Sequence, residues 1–273
     1  MLKQIYDPPP VLYVKGEKYM FNNSSLAVVG SRKSSTYGRN VAISFAKELA
    51  SMEVNIVSGM ARGIDSFAHK GAIDAGGPTT AVLGCGIDIV YPPENEKLMK
   101  KIFECGCVIS SFPLASPPLS ANFPARNRII SGLSLGTIVI EAAKKSGSLI
   151  TADFALEQGR EVFAVPGSIF SPYSRGTHKL IKQGAKLVEN IDDILDELFL
   201  ERLNNKKEEY NTDLQNLSVI EKAVYELIDY EPTQIEQLIS RAQRNSREVN
   251  AILTRLELKG YISALPGGYF VRN

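Results

Sequence analysis

The chain reads as an α/β protein: an extended Rossmann-like, doubly wound and mainly parallel sheet, followed by a small C-terminal winged-helix domain. Three observations lead there. From Leu26 onward short apolar runs alternate strictly with amphipathic ones, the apolar runs are almost free of polar residues, and a segment rich in Gly, Ser, Arg or Lys follows nearly every one. Strands that are apolar throughout need helices on both faces, and right-handed crossovers then wind the sheet in two directions.

Asp7-Pro-Pro-Pro10 cannot be helical and leads into Val11–Val14, expected as an edge strand. The abrupt start ahead of it reads as though something N-terminal were absent. Leu26–Val29 is the first buried strand and ends in Gly30-Ser31-Arg32. A helix is expected from Thr36 to Met52, because Val41, Phe45, Leu49 and Met52 share one face. Val54–Val57 is the next strand, Ser58–Asp65 its loop, and Ile64–Ala75 the helix after it. Thr80–Leu83, Val108–Ser110, Thr137–Ile140, Val162–Val165 and Lys186–Val188 continue the series. Between them stand a helix from Pro92-Pro93 to Glu104, a Pro-rich loop from Phe112 to Asn122, and another helix after Ser148. An acidic helix, Ile191 to Leu200, closes the region.

Length supports one large domain and one small one: residues 1–200, a polar linker at 201–216, and a module at 217–273. Helices at Leu217–Asp229, Thr233–Gln243 and Ser246–Lys259 precede two short strands around Gly267-Gly268, which spells a winged helix. Hydrophobic content of 44% and charged content of 22% are those of an ordinary globular protein. No apolar run nears the ~20 residues of a membrane span, and no signal peptide opens the chain. Three cysteines and two histidines, badly spaced for ligation, point to no metal, no disulfide framework and a reduced, cytoplasmic setting.

The net charge of +1 hides an asymmetry. Residues 1–188 hold 21 basic against 14 acidic side chains, 189–201 hold six acids, and 211–273 hold seven basic and eight acidic residues. The positive surplus therefore belongs to the region of glycine loops, and it suits an anionic partner.

In such a sheet the loops after strands share the carboxyl edge, where ligands bind. Gly30-Ser31-Arg32, Gly59 with Arg62 and Gly63, Gly84–Asp88, Phe123–Arg128, Lys144-Lys145-Ser146-Gly147-Ser148 and Pro166–Ser168 are read as loops converging there. Glycines let backbone approach a ligand, N–H groups at helix starts favour anions, and Arg32, Arg62, Arg126 and Arg128 supply forks for phosphate. Asn127 lies between the last two. Phe123, held by Pro124 where loop meets helix, is either a platform for an unpaired base or a core aromatic. Lys144 and Lys145 are either a solvated face or phosphate contacts. No cofactor motif is present: no GxGxxG follows the first strand, and Ser58 rather than an acid ends the second.

GSR at Gly30, SGMARGID at Ser58, FPARNRIISGL at Phe123, SGSLITA at Ser146 and ALEQGREVFAVPG at Ala155 together resemble the DNA-processing protein A family (DprA, also called Smf). The resemblance runs over residues 7–200, and the terminal winged helix fits many members. It implies a single-stranded DNA-binding protein, without established catalytic activity, that as a homodimer helps load the RecA recombinase during natural transformation. Leu119–Asn122 is uncharged where some members are basic, and His178 stands where Asn is frequent, a structural position. Many members carry a further helical region before Asp7. The rival reading is an enzyme of the phosphoribohydrolase (lysine decarboxylase-like) type, in which Arg126 supplies the arginine. Thr151 stands near where its catalytic glutamate belongs, leaving the chemistry without its acid–base group. Arg241, Arg244 and Arg247 gather at the start of the third helix of the winged module, but the turn of its wing, Ala264–Gly268, has no basic residue. A protein-contact or auxiliary role is the expectation there.

Overall fold

The computed structural model describes residues 1–16, 24–198, 200, 217–230 and 232–272. The expected linker at 201–216 lies outside the described residues. The chain divides into two compact units, Met1–Asn205 and Lys206–Asn273.

Among the described residues of the first unit, eight strands form one sheet: β1 (Tyr13–Gly16), β2 (Ser25–Val29), β3 (Asn55–Ser58), β4 (Thr79–Leu83), β5 (Cys107–Ser110), β6 (Gly136–Val139), β7 (Glu161–Ala164) and β8 (Lys186–Leu187). Their spatial order is β1-β5-β4-β3-β2-β6-β7-β8. Every neighbouring pair is parallel except β1 with β5. The alternation within β2 shows why helices must cover both faces. Leu26 and Val28 pack with α1 (Thr36–Ser51) and α2 (Ile64–Asp74), and Ala27 and Val29 pack with α4 (Asn122–Gly132) and α5 (Gly147–Glu157). A third helix, α3 (Glu96–Cys105), lies on β4 and β5 through Leu98, Met99 and Ile102. The chain steps outward from β2 to β5 and then returns to β6 on the other side of β2. This reversal puts the topological switch point at the carboxyl ends of β2 and β6.

Two local readings change. Phe123–Arg128 is the first two turns of α4, not a loop; Pro124 is tolerated because N–H groups in a first turn have no intrahelical acceptor. A short amphipathic helix, α6 (Arg175–Lys182), fills the stretch before β8. Its His178 Nε2 lies 3.0 Å from the Gly167 carbonyl, a structural contact. The acidic helix α7 is Asp192–Glu197.

The second unit has α8 (Val219–Glu226), α9 (Ile235–Ala242) and α10 (Ser246–Leu258), with β10 (Ile262–Leu265) and β11 (Tyr269–Arg272) as the wing. A two-residue strand, β9 (Thr233–Gln234), joins the wing and makes a three-stranded antiparallel sheet. Ser218 and Glu221 form a capping box on α8, and Val224, Leu238, Ile252 and Leu256 lie in the core beneath. Among the described residues no helix is long and apolar enough to cross a membrane, and no cluster of ligating side chains could hold a metal.

One buried group, His69, opposes folding in acid. His69 on α2 is fully buried, with Nδ1 2.7 Å from the Thr79 hydroxyl, which itself donates to the Ile56 carbonyl. The Thr79 hydrogen is thus committed, so His69 donates from Nδ1, and its Nε2 has no partner. Burial, reinforced by the Arg126 charge, lowers its pKa to about 3. The unfolded chain takes up this proton near pH 6.5 and the folded one does not, so stability falls as pH drops below about 6.5. Between about pH 7.5 and 5 the loss from this group should reach about 2 kcal/mol. Urea denaturation of His69→Gln should show a pH dependence shallower by that amount; parallel curves would contradict it.

Candidate nucleic-acid interface

The carboxyl edge opens into a groove of about 690 Å³ whose walls include the β2 loop, the start of α4 and the start of α5. Its floor is made by Arg126, which is 4% exposed. The fork that the sequence offered to phosphate points inward instead. Nη1 donates to the Gly59 carbonyl at 2.6 Å and to the Val82 carbonyl, and Nε donates to Asn127 Oδ1 at 3.1 Å. Burial lowers the Arg126 pKa to about 10, with Asp65 opposing the shift, so the group stays charged at neutral pH. Asp65 is buried beside it, and burial raises its pKa against the pull of Arg126 and the Ala61 N–H. Asn127 completes the floor: it is also buried, and its Nδ2 donates to the Gly147 carbonyl at 3.3 Å.

The expected ligand-approach glycines serve the same packing. A Cβ on Gly59 would lie 2.5–2.7 Å from the Arg126 guanidinium, and one on Gly30 2.6 Å from Ile64. Gly63, with φ of +74°, sits against the Ser31 carbonyl. The Ser31 hydroxyl is likewise engaged, donating to the Lys33 carbonyl at 2.9 Å. These residues shape the loops, and of the predicted glycines only Gly147 has open space around it.

Phe123 is half-buried at the groove wall, one turn before Arg126 on α4. Its ring lies close against the Cα of Gly84 and stacks on Tyr91 at 5.6 Å between centroids and 30° between planes. The guanidinium carbons of Arg32 and Arg126 stand 5.3 and 5.9 Å from its centroid, within cation–π range. The structure thus brings Arg32, Phe123, Lys145, Ser146 and Ser148 to one groove, together with Lys33. Lys33 and Tyr91 were missed by sequence reasoning. Lys33 follows Arg32 on the same loop, a signal that was present; the stack of Tyr91, 32 residues before Phe123, left none.

Of the helices that begin at this edge, α1, α2 and α5 have N-termini that are not equivalent. The first turn of α1 is filled by Glu141, whose carboxylate accepts from Ser35 N at 2.9 Å and Ser35 Oγ at 2.5 Å. The first turn of α2 carries its own carboxylate, Asp65. That of α5 carries no acid; Ser146 caps it, its Oγ 2.8 Å from Ser148 Oγ. An incoming anion therefore meets a helix start without a carboxylate at α5, next to Lys145.

Other expected contacts lie outside the groove. Arg128 turns away from it and holds Asp7, donating to its carbonyl and pairing with its carboxylate at 3.3 Å. Arg62 is exposed at the rim of a smaller neighbouring pocket and paired with Glu94. Lys144 is exposed and does not line the groove.

Comparison with known proteins follows the same division of the chain. The family model for DNA recombination-mediator protein A matches residues 1–199, and that for the DprA winged helix domain matches 208–268. Protein Smf of Escherichia coli is 46% identical over 268 residues, covering 96% of this chain and 72% of that protein. The X-ray structure of DNA processing protein A from Streptococcus pneumoniae is 46% identical, with a TM-score of 0.70, over 72% of this chain and 69% of that one. The Helicobacter pylori structure, described for its unique single-stranded DNA binding mode, is 30% identical, with a TM-score of 0.67, over 72% and 91%.

Gly59→Ala forces a methyl group onto the buried guanidinium and should cost about 1–3 kcal/mol in urea denaturation. Gly147→Ala, facing open space, should stay within about 0.5 kcal/mol of the parent. Equal stabilities would contradict the packing described.

Proposed function

The chain belongs to the DNA recombination-mediator protein A family, and on that basis we propose that its groove binds single-stranded DNA. The observation that carries the reading is the half-exposed Phe123 ring, braced by Gly84 and Tyr91 and flanked by Arg32, in a groove whose other walls carry Lys33, Lys145 and the start of α5. A base stacked on such a ring gains about 1–3 kcal/mol, and only an unpaired base can reach it. Arg32, Lys33 and Lys145 take phosphates by charge, while the N–H of Gly147 takes one at the helix start, where Ser148 N is held by the Ser146 cap. The description of the Helicobacter pylori relative supports this choice of ligand.

The protein's task in this reading is to protect incoming DNA and help load a RecA-type recombinase in natural transformation and recombination, in the cytoplasm and without catalysis. Family membership supports it. It acts as a homodimer, a reading supported by the outer edge of β8, where Leu187 is 42% exposed on a strand paired only with β7 among the described residues. The winged helix serves protein contact or an auxiliary role; Arg244 in it is paired with Glu248 at 3.5 Å. The phosphoribohydrolase alternative is not favoured. Thr151 lines the groove where that chemistry needs a carboxylate, and the carboxylate of Glu141 is tied to Ser35.

Anisotropy titrations should show clear preference for a single strand over the duplex of the same sequence. Arg32→Ala should weaken binding to all sequences alike and lower the slope of log K against log salt by about one. Arg128→Ala, directed at Asp7, should leave both unchanged. Equal affinity for duplex, or a parent-like Arg32→Ala, would overturn the proposal.

A further inference from the structure

The loop after β7 exposes two large apolar side chains in succession. Ile169 is 75% and Phe170 87% exposed. They are held there by an ordered turn: Ser171 N donates to the Ser168 carbonyl at 3.0 Å, and Phe170 N donates to Ser168 Oγ at 3.3 Å. The loop is fastened at both ends. Tyr37 donates to the Pro166 carbonyl at 2.9 Å, Ala142 N to the Tyr173 carbonyl and Gly176 N to the Ala142 carbonyl, both at 2.7 Å. Two neighbouring apolar side chains fixed in water offer a small apolar surface to a partner.

The placement of the turn indicates which partner. Ala142 opens the segment that carries Lys144 and Lys145. That segment walls the groove through Ala143 and Lys145 and is hydrogen-bonded to the β7 loop through Ala142. Along the carboxyl edge, in sheet order, stand Phe123 against the end of β4, Arg32 and Lys33 after β2, the lysine pair after β6, and Phe170 after β7. Strands lie about 4.8 Å apart, so the two aromatic residues bracket about 19 Å of positively charged edge. Aromatic rings separated by cations along a track are the arrangement that a single strand engages with bases and phosphates in turn.

Resting on the single-strand reading above, we infer that Phe170 is a second base-stacking platform, reached by DNA that leaves the groove across Lys144 and Lys145. This assigns Lys144 a phosphate although it lies outside the groove. It also makes the footprint longer than the groove alone, because Ile169 and Phe170 engage nucleotides beyond it.

The chain has no tryptophan, so Phe170→Trp places the sole indole at the turn. Its emission should be quenched by an oligothymidylate of about 15 nucleotides and not by one of about 4, the two ends of the usual range of site sizes. Phe170→Ala should weaken binding of the long strand roughly 5- to 150-fold, the equivalent of about 1–3 kcal/mol, and leave the short one unchanged. Indole emission indifferent to a long strand that an end label shows to be bound would overturn the inference and leave the groove reading intact. Emission that instead follows protein concentration, with or without DNA, would assign the turn to a second copy of the chain and overturn it equally. Failure of the unsubstituted protein to bind either strand would remove the groove reading itself.

Discussion

The carboxyl edge depends on one buried cation. Arg126 spends its fork on the carbonyls of Gly59 and Val82, at the ends of β3 and β4, and on the neighbouring Asn127. Burying a guanidinium is costly, and what offsets the cost here is this set of three acceptors, with Asp65 close enough to oppose the loss of charge. The consequence is positional. Fixing Arg126 fixes the first turns of α4 against the sheet, and Phe123, three residues earlier, is thereby laid against Gly84 at the groove wall. The glycine at position 59 belongs to the same device, because any side chain there would push the guanidinium out of its seat.

With the floor fixed, the distribution of charge above it selects where an anion rests. A Rossmann-like sheet offers helix N-termini along one edge, and this chain occupies two of them with its own carboxylates, Glu141 at α1 and Asp65 at α2. The start of α5 carries none; it presents Ser146 and Ser148, with the cations Arg32, Lys33 and Lys145 lining the same groove. Such a site suits a chain of phosphates crossing an open groove better than a single nucleotide held at the first helix, where the Rossmann folds that bind dinucleotides place the pyrophosphate.

The sheet was legible because its physics is local. Apolar strands such as Leu26–Val29 and the one-sided periodicity of Thr36–Ser51 state their own environment, and the strand order reversal follows from alternation and handedness. Phe123 and Lys145 were legible as residues of suitable chemistry at the right edge. Direction was not. Arg126 and Arg128 are two residues apart on one helix, about 200° around it, so one faces the sheet and the other reaches Asp7. The motif was read as loop, which conceals that opposition. Tyr91 and Glu141 escaped for another reason: each acts on a segment distant in the chain, Phe123 and Ser35 respectively, and no spacing records a contact made through the fold.

The central claim, that Arg126 holds the interface together from beneath, is tested most directly by urea denaturation of Arg126→Ala beside the parent protein. Removing the cation leaves Asp65 buried without its opposing charge and takes the guanidinium from two carbonyls, so stability should fall by about 3–5 kcal/mol. Parent-like stability, with only DNA affinity reduced, would contradict the account and return Arg126 to the role of a phosphate ligand.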